Sequence, residues 1–253
     1  MKFAESFRIR FSESDRHARA TPVALFNLLQ ETAIAHSASV GRGADQLVAR
    51  NLAWMMNRAH IRFDRYPETH ADVTVTTWAH CLTGLYAIRE WTIADAQGVC
   101  IRATGRWIIY DVAKRRIIKI PPDFAETYGE VPERVIDDTF ERMNPTESSE
   151  YAREFHVRVS DLDTNQHANS GCYVDWALEA VPTTVSSTRR PRVLEILFKQ
   201  ESVLDEGLLS ASTQRHDAPD EVLLFHHTVS GMSGDPRAIA LSHWPFKPEF
   251  EAP

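Results

Sequence analysis

Asp163, Asn165 and His167 stand two residues apart in Asp161-Leu-Asp163-Thr-Asn165-Gln-His167-Ala-Asn169, and a lone acid, Glu201, closes the apolar run Ile196-Leu-Phe-Lys-Gln-Glu201. An amide, an imidazole and two carboxylates are the groups needed to move protons around a carbonyl centre under attack. If the segment is extended, its alternate side chains point the same way, so Asp163, Asn165 and His167 converge. The segment then runs into a helical pattern, and the unpaired N–H groups of a helix start, at Asn169, Ser170 and Gly171, are positioned to hold a developing oxyanion. Glu201 must come from a neighbouring strand, where partial burial would tune it toward base chemistry.

The same stretch has an echo earlier in the chain. Phe7-Arg-Ile-Arg-Phe-Ser-Glu-Ser-Asp15 recurs as Phe155-His-Val-Arg-Val-Ser-Asp-Leu-Asp163, an offset of 148 residues (155 less 7), and the offset also carries Glu31 onto Glu179. The first copy has His17 and Arg19 where the second has Asn165 and His167. The chain is therefore read as a duplication in which only the later half keeps the reactive set. Asp15 and Asp163 could both serve simply as turn-forming residues, whereas Asn165 and His167 lack counterparts that would explain them architecturally.

The elements that would position these groups are readable from periodicity. Each copy opens with a short strand, Phe7 to Phe11 or Phe155 to Val159. A helix follows, with Leu25, Leu28, Leu29 and Thr32 on one face in the first copy and Tyr173, Trp176, Ala177 and Ala180 in the second. Pro22 suits a helix start and Pro182 a stop. Segments rich in β-branched and aromatic residues come next: Ala59 to Tyr66, Asp72 to Ala79, Tyr86 to Ala94 and Cys100 to Asp111. Their counterparts are Arg192 to Gln200, Gly207 to Arg215, Val222 to Ser230 and Arg237 to Phe246. The final strands share Ala-x-x-x-Trp at the smaller offset of 137 (244 less 107), so the second copy is shorter, most simply around its helix. Turns are expected at 96–98, 218–220 and 233–235. The fold class is α+β: two tandem repeats, 1–120 and 151–253, each a central helix wrapped by a five- or six-stranded antiparallel sheet. Pro121 to Glu150 is read as a linker, and sheets joining edge to edge would make a pseudo-dimer within one chain.

Composition narrows the function further. The chain has 253 residues, 25 % charged and 43 % hydrophobic, and no apolar run long enough to span a bilayer. No targeting segment is visible at the N-terminus, which places the protein in the cytoplasm without membrane insertion. A net charge of −7 argues against nucleic acid. An acidic partner would need a local basic patch: Arg8, Arg10, Arg16 and Arg19, or Lys114 to Arg116, or Arg189, Arg190 and Arg192. Cys81, Cys100 and Cys172 have neither disulfide nor metal-ligand spacing, and His226 and His227 alternate faces, so no metal site is expected. Cys172 reads as a small buried residue rather than a nucleophile. Trp54, Trp107, Trp176 and Trp244 read as core or tunnel lining.

The run from Asp161 to Pro182, together with Asn51-Leu-Ala-Trp54 to Tyr66-Pro67, Arg102-Ala-Thr-Gly-Arg-Trp107, Arg115-Arg116 and Trp244, resembles the acyl-carrier-protein thioesterases, the plant-type fatty acyl enzymes and their bacterial relatives. The resemblance spans nearly the whole chain. It implies a double hotdog fold and hydrolysis of the thioester of a fatty acyl chain on acyl carrier protein, in fatty acid biosynthesis, without cofactor or metal. By motif it places Asp163, Asn165, His167 and Glu201 on the family's catalytic positions, with the first repeat as acyl-binding scaffold. Where the family often has cysteine after the glutamate, this chain has Ser202, and where it often has Asn-Asn, this chain has Asn169-Ser170. The absence of a plastid transit segment fits a bacterial cytoplasmic version. Glu201 would serve as base toward water or attack directly, and His167 would protonate the leaving thiolate. Rival readings are an acyl-coenzyme A thioesterase of the same fold, a non-catalytic acyl-binding hotdog protein and, less favoured, a dehydratase. A monomer and a homodimer are both compatible with the duplication.

Overall fold

The computed structural model describes all residues except 147–148, 218–220 and 252–253. The turn expected at 218–220 lies outside the described residues. The chain divides into two compact units, Met1–Thr139 and Phe140–Pro253.

In the first unit, β1 (Lys2–Arg8) leads through a short 3-10 turn to α1 (Pro22–Ser39) and α2 (Ala44–Val48). A meander of β2 (Leu52–Phe63), β3 (Asp72–Thr83), β4 (Tyr86–Asp95) and β5 (Gly98–Asp111) follows, then β6 (Arg116–Ile118) and α3 (Pro122–Tyr128). The antiparallel order is β1-β3-β4-β5-β2, with β6 on β5. α1 starts where its residues dictate: Pro22 needs no amide partner at the first position, and Thr21 Oγ1 accepts from Ala24 N at 3.2 Å. Its buried face, Leu25, Phe26, Leu28, Leu29 and Ala33, packs against the sheet.

The second unit repeats the plan more briefly, with β7 (Tyr151–His156), α4 (Ser170–Glu179), α5 (Thr183–Ser186), β8 (Val193–Phe198), β9 (Gly207–Arg215), β10 (Val222–Gly231) and β11 (Pro236–Pro245). Its order is β8-β11-β10-β9-β7. The helix is the part that shrank: α1 has 18 residues and α4 has 10. α4 buries Tyr173, Val174, Trp176 and Ala177 against β9, β10 and β11. Each unit is thus a helix wrapped by an antiparallel sheet, as the periodicity predicts.

Three expectations are corrected. The opening strands lie earlier than Phe7–Phe11 and Phe155–Val159, because Phe11 and Val159 sit in 3-10 turns and are 81 % and 75 % exposed. β2 begins at Leu52 rather than Ala59; a bulge between Met56 and Arg58 resets which side chains face inward and hides the two-residue period. The stretch 121–150, read as a linker, opens with α3, whose Phe124 and Tyr128 are buried in a core cluster with Leu47, Leu82 and Ile109. Trp54 packs edge-to-face on Trp107, Phe124 and Tyr128, while Trp176 and Trp244 are buried in the second unit.

Each unit buries a neutral histidine. His36 on α1 accepts from Arg89 at 2.9 Å, and burial, aided by that guanidinium, lowers its pKa to about 3. His227 on β10 lies 2.7 Å from Ser242 Oγ and is held at about 3 by burial, with His226 adding to the effect. Both titrate lower folded than unfolded, so below the ordinary histidine range the unfolded chain takes up protons that the folded chain refuses. Stability should therefore be full above about pH 6.5 and fall as pH drops toward 3, by about 1.4 kcal/mol per pH unit for each histidine. Urea midpoints between pH 7 and 5 check this; a flat profile would contradict it.

Candidate active site

After β7 the chain makes a 3-10 turn, Val159–Asp161, and an isolated bridge between Leu162 and Ala168 closes a tight loop. Asp163 N donates to His167 O at 2.8 Å, and Gln166 N to Asp163 O at 3.1 Å. Asp163 Oδ1 accepts from the backbone N–H of Asn165 (2.7 Å) and of His167 (3.3 Å), while Asn165 Nδ2 reaches Oδ2 at 3.4 Å. The expected extended segment with three side chains on one face is therefore corrected. The Asp163 carboxylate captures its neighbours' amides, and Gln166 turns through the left-handed region at φ 64°.

The first repeat builds the same loop. Asp15 N donates to Arg19 O at 2.7 Å, Asp15 Oδ1 accepts from His17 N (2.8 Å) and Arg19 N (3.2 Å), and Ala18 has φ 54°. Asp163 thus has a loop-building duty common to both halves, and it holds His167 by the backbone.

What differs is what the loops carry. Ala168 N donates to Ser202 O at 2.9 Å, which clamps the chain leaving β8 against the loop and brings Glu201 Oε2 to 3.2 Å from His167 Nε2. In the first repeat Ala20 N makes the matching bond to Pro67 O at 2.9 Å, so Tyr66 stands in the place of Glu201; it is buried and stacked on Phe63. Arg19 stands in the place of His167 and pairs with Glu68 at 2.6 Å. An imidazole and a carboxylate in contact can exchange a proton near neutrality, whereas a guanidinium stays charged throughout. Only the second loop holds an acid–base pair.

Not every expected member joins it. Asn165 is exposed, and its side-chain amide reaches only Asp163 among the described residues. The anticipated burial of Glu201 is absent, since its side chain is 49 % exposed against 32 % for His167. Of the three backbone amides expected to hold an oxyanion, at Asn169, Ser170 and Gly171, those of Asn169 and Gly171 are engaged within the protein. Asn169 caps α4, its Oδ1 accepting from Gly171 N at 2.9 Å, while Asn169 N donates to Asp161 O at 2.8 Å. Ser170 is engaged as well. A helix whose cap satisfies its own first amides has few left to offer.

The sequence reading missed the groups that support the loop bearing Glu201. Glu206 Oε1 accepts from Arg237 Nε (2.8 Å) and Nη2 (2.6 Å), and Glu206 Oε2 accepts from Val203 N at 3.1 Å. Glu206 and Arg237 lie 31 residues apart with no motif between them, so only their meeting reveals the pair. Arg237→Ala should lower kcat about ten-fold at little cost in KM, because the loop loses a half-buried charge-assisted tether. Steady-state kinetics beside a thermal melt checks this, and an unchanged kcat would mean the loop is held by other contacts.

Ser202 is fully buried, as is the Tyr173 hydroxyl, and neither finds a hydrogen-bonding partner among the described residues. Burial pushes the Tyr173 phenol up to about 12, and the nearby Ser202 hydroxyl opposes the shift without reaching hydrogen-bond geometry. A serine so enclosed is not presented to a substrate. Cys172 is no better suited as a nucleophile: burial, reinforced by Asp161 and Asp175, raises its thiol to about 11.

Residues 1–128 match the sequence family described as "Acyl-ACP thioesterase N-terminal domain", and residues 144–245 match "Acyl-ACP thioesterase C-terminal domain". An acyl-[acyl-carrier-protein] hydrolase of Cuphea viscosissima, chloroplastic, is 27 % identical over 257 residues, covering 96 % of this chain and 62 % of that protein. The chain thus spans somewhat under two thirds of that relative's length. A 12:0-ACP thioesterase from Umbellularia californica superposes with a TM-score of 0.86 at 24 % identity, covering 98 % of this chain and 94 % of the other. An acyl-ACP thioesterase from Bacteroides thetaiotaomicron gives 0.84 at 22 %, covering 96 % and 97 %. These two likenesses establish the fold, the double hotdog that the family resemblance implies.

Proposed function

Since the chain belongs to the acyl-ACP thioesterase family, we propose that it hydrolyses the thioester of a fatty acyl chain on acyl carrier protein, releasing free fatty acid and carrier. The observation that carries this reading is the His167–Glu201 contact at 3.2 Å, against the Arg19–Glu68 ion pair at the matching loop of the first repeat. Glu201 takes a proton from water, and the water oxygen adds to the thioester carbonyl. As the carbonyl reforms, the C–S bond breaks, and His167 gives a proton to the departing thiolate. Asp163 fixes the backbone that carries His167, and Asn165 stands on the same loop. In this reading the second repeat, 151–253, carries the chemistry and the first, 1–120, is the acyl-binding scaffold, joined by 121–150.

We place the enzyme in a bacterial cytoplasm, as a monomer or homodimer. Three free cysteines suit a reducing compartment. No helix among the described residues is long and apolar enough to cross a membrane. The test is a panel of acyl carrier protein thioesters of differing chain length, with released acid quantified beside matched coenzyme A thioesters. Faster release from the carrier protein supports the reading. Preference for coenzyme A would move the substrate class, and no release from either would overturn it.

A further inference from the structure

The first repeat holds an open groove of about 540 Å³ between β1, the turn after it and the second turn of α1, lined by Phe7, Arg8, Arg10, Phe11, Leu28 and His70 among others. The duplicated half supplies an internal control for it. At an offset of 148 the matching residues are Phe155, His156, Arg158, Val159 and Trp176. His70 matches Asp205: His70 N donates to Ile9 O at 2.9 Å as Asp205 N does to Val157 O at 3.0 Å, and both residues adopt positive φ, 66° and 62°. In the second repeat Trp176 is buried, with its ring 6.0 Å from Phe155. Leucine at the same place in the first repeat leaves the indole's volume open.

The charges have diverged in the same direction. Arg158 is committed to Asp161, with Nη2 at 2.7 Å from Oδ1, and a carboxylate stands at the place of His70. In the first repeat Arg8 makes neither ion pair nor hydrogen bond through its side chain among the described residues. Arg10 lies 4.0 Å from the Glu13 carboxylate, which instead accepts from the Arg10 backbone N at 2.8 Å. Glu13, the one acid lining the groove, is thus partly satisfied by backbone. Phe7 and Leu28 give an apolar floor, Phe11 an exposed apolar wall, and two guanidinium groups with an imidazole edge the rim. The volume lies within the range of sites that enclose small ligands.

We propose that this groove is a binding site for a free fatty acid, its carboxylate held by Arg8 and Arg10 and its chain laid along Phe7, Leu28 and Phe11. The proposal rests on the reading above only for the source of the ligand, which would be the enzyme's own product. A carboxylate suits the unpaired Arg8 and the Arg10 guanidinium held only at 4.0 Å by Glu13, and its chain suits the floor that a leucine opened. The second repeat, with its indole in place and a carboxylate at the rim, should not bind one at the matching position.

Equilibrium dialysis of labelled dodecanoate against the full chain tests this, with Leu28→Trp and with the double variant Arg8→Ala/Arg10→Ala. Leu28→Trp installs the residue the second repeat already accommodates, and the double variant changes only exposed side chains, so misfolding of the first leaves the second informative. The expected result is saturable binding that weakens at least about ten-fold in each variant. Methyl dodecanoate should bind weakly and show no dependence on the arginines. Equal isotherms for wild type and both variants, or methyl ester binding equal to that of the acid, would overturn the site. Failure of the functional reading shows up separately, as absence of turnover in the wild type whatever the dialysis finds.

Discussion

Glu201→Gln should reduce kcat on an acyl-acyl carrier protein thioester by about 10³-fold, and His167→Ala by a comparable factor, with KM changed little. The two side chains meet at 3.2 Å as one acid–base unit, so removing either disables proton transfer at both ends of the reaction. The losses should not add: the double variant is expected close to the worse single one, because residues that act together fail together. Gln keeps the size of Glu201 and can still hydrogen-bond, so the loss isolates its ability to take a proton. Asn165→Ala should cost far less, since that amide contacts only Asp163 among the described residues. Single-turnover measurements decide the matter, and near-normal rates in Glu201→Gln would remove Glu201 from the chemistry.

The largest effect on stability is expected from Trp91→Ala, at about 3–5 kcal/mol. Trp91, on β4, is 1 % exposed and donates from Nε1 to Leu29 O on α1 at 2.9 Å, so it ties the central helix to the sheet. The strand beside it leaves room for the indole: a Cβ at Gly105 on β5 would stand 2.9 Å from Trp91 Cζ3 and 3.3 Å from Arg58 O. Gly105→Ala should therefore destabilise as well, by roughly 1–3 kcal/mol, through overpacking rather than loss. Denaturant titrations of both variants check this. A loss under about 1 kcal/mol for Trp91→Ala would show that the helix is anchored by other contacts.

Much of the framework was open to sequence reasoning because it rests on local rules. β10 begins at Val222, where its β-branched and apolar run predicts, and α1 starts at the proline that tolerates a helix start. The recurrence of Asp15 at Asp163 identified the loops, since an aspartate that captures following amides works through a few residues of its own chain. Where a local signal has two physical outcomes, the local residues do not choose between them. Asp-x-Asn-x-His can be an extended strand or a side-chain-closed turn, and the left-handed Gln166 decides for the turn. Pro121-Pro122 can break a chain or begin a helix, and the burial of Phe124 and Tyr128 decides for the helix.

Residue order alone is enough to show that this protein is one helix-and-sheet unit made twice, and that an imidazole and a carboxylate survive in the second making. Periodicity and repetition are properties of neighbouring residues and need no knowledge of distant ones. Long-range packing alone reveals that the Ala168–Ser202 backbone bond brings Glu201 to His167, and that Leu28 lines a groove at the place where the second repeat buries Trp176. Each of those depends on groups far apart along the chain competing for the same space or the same hydrogen bond. That competition is settled by packing, which no local pattern encodes.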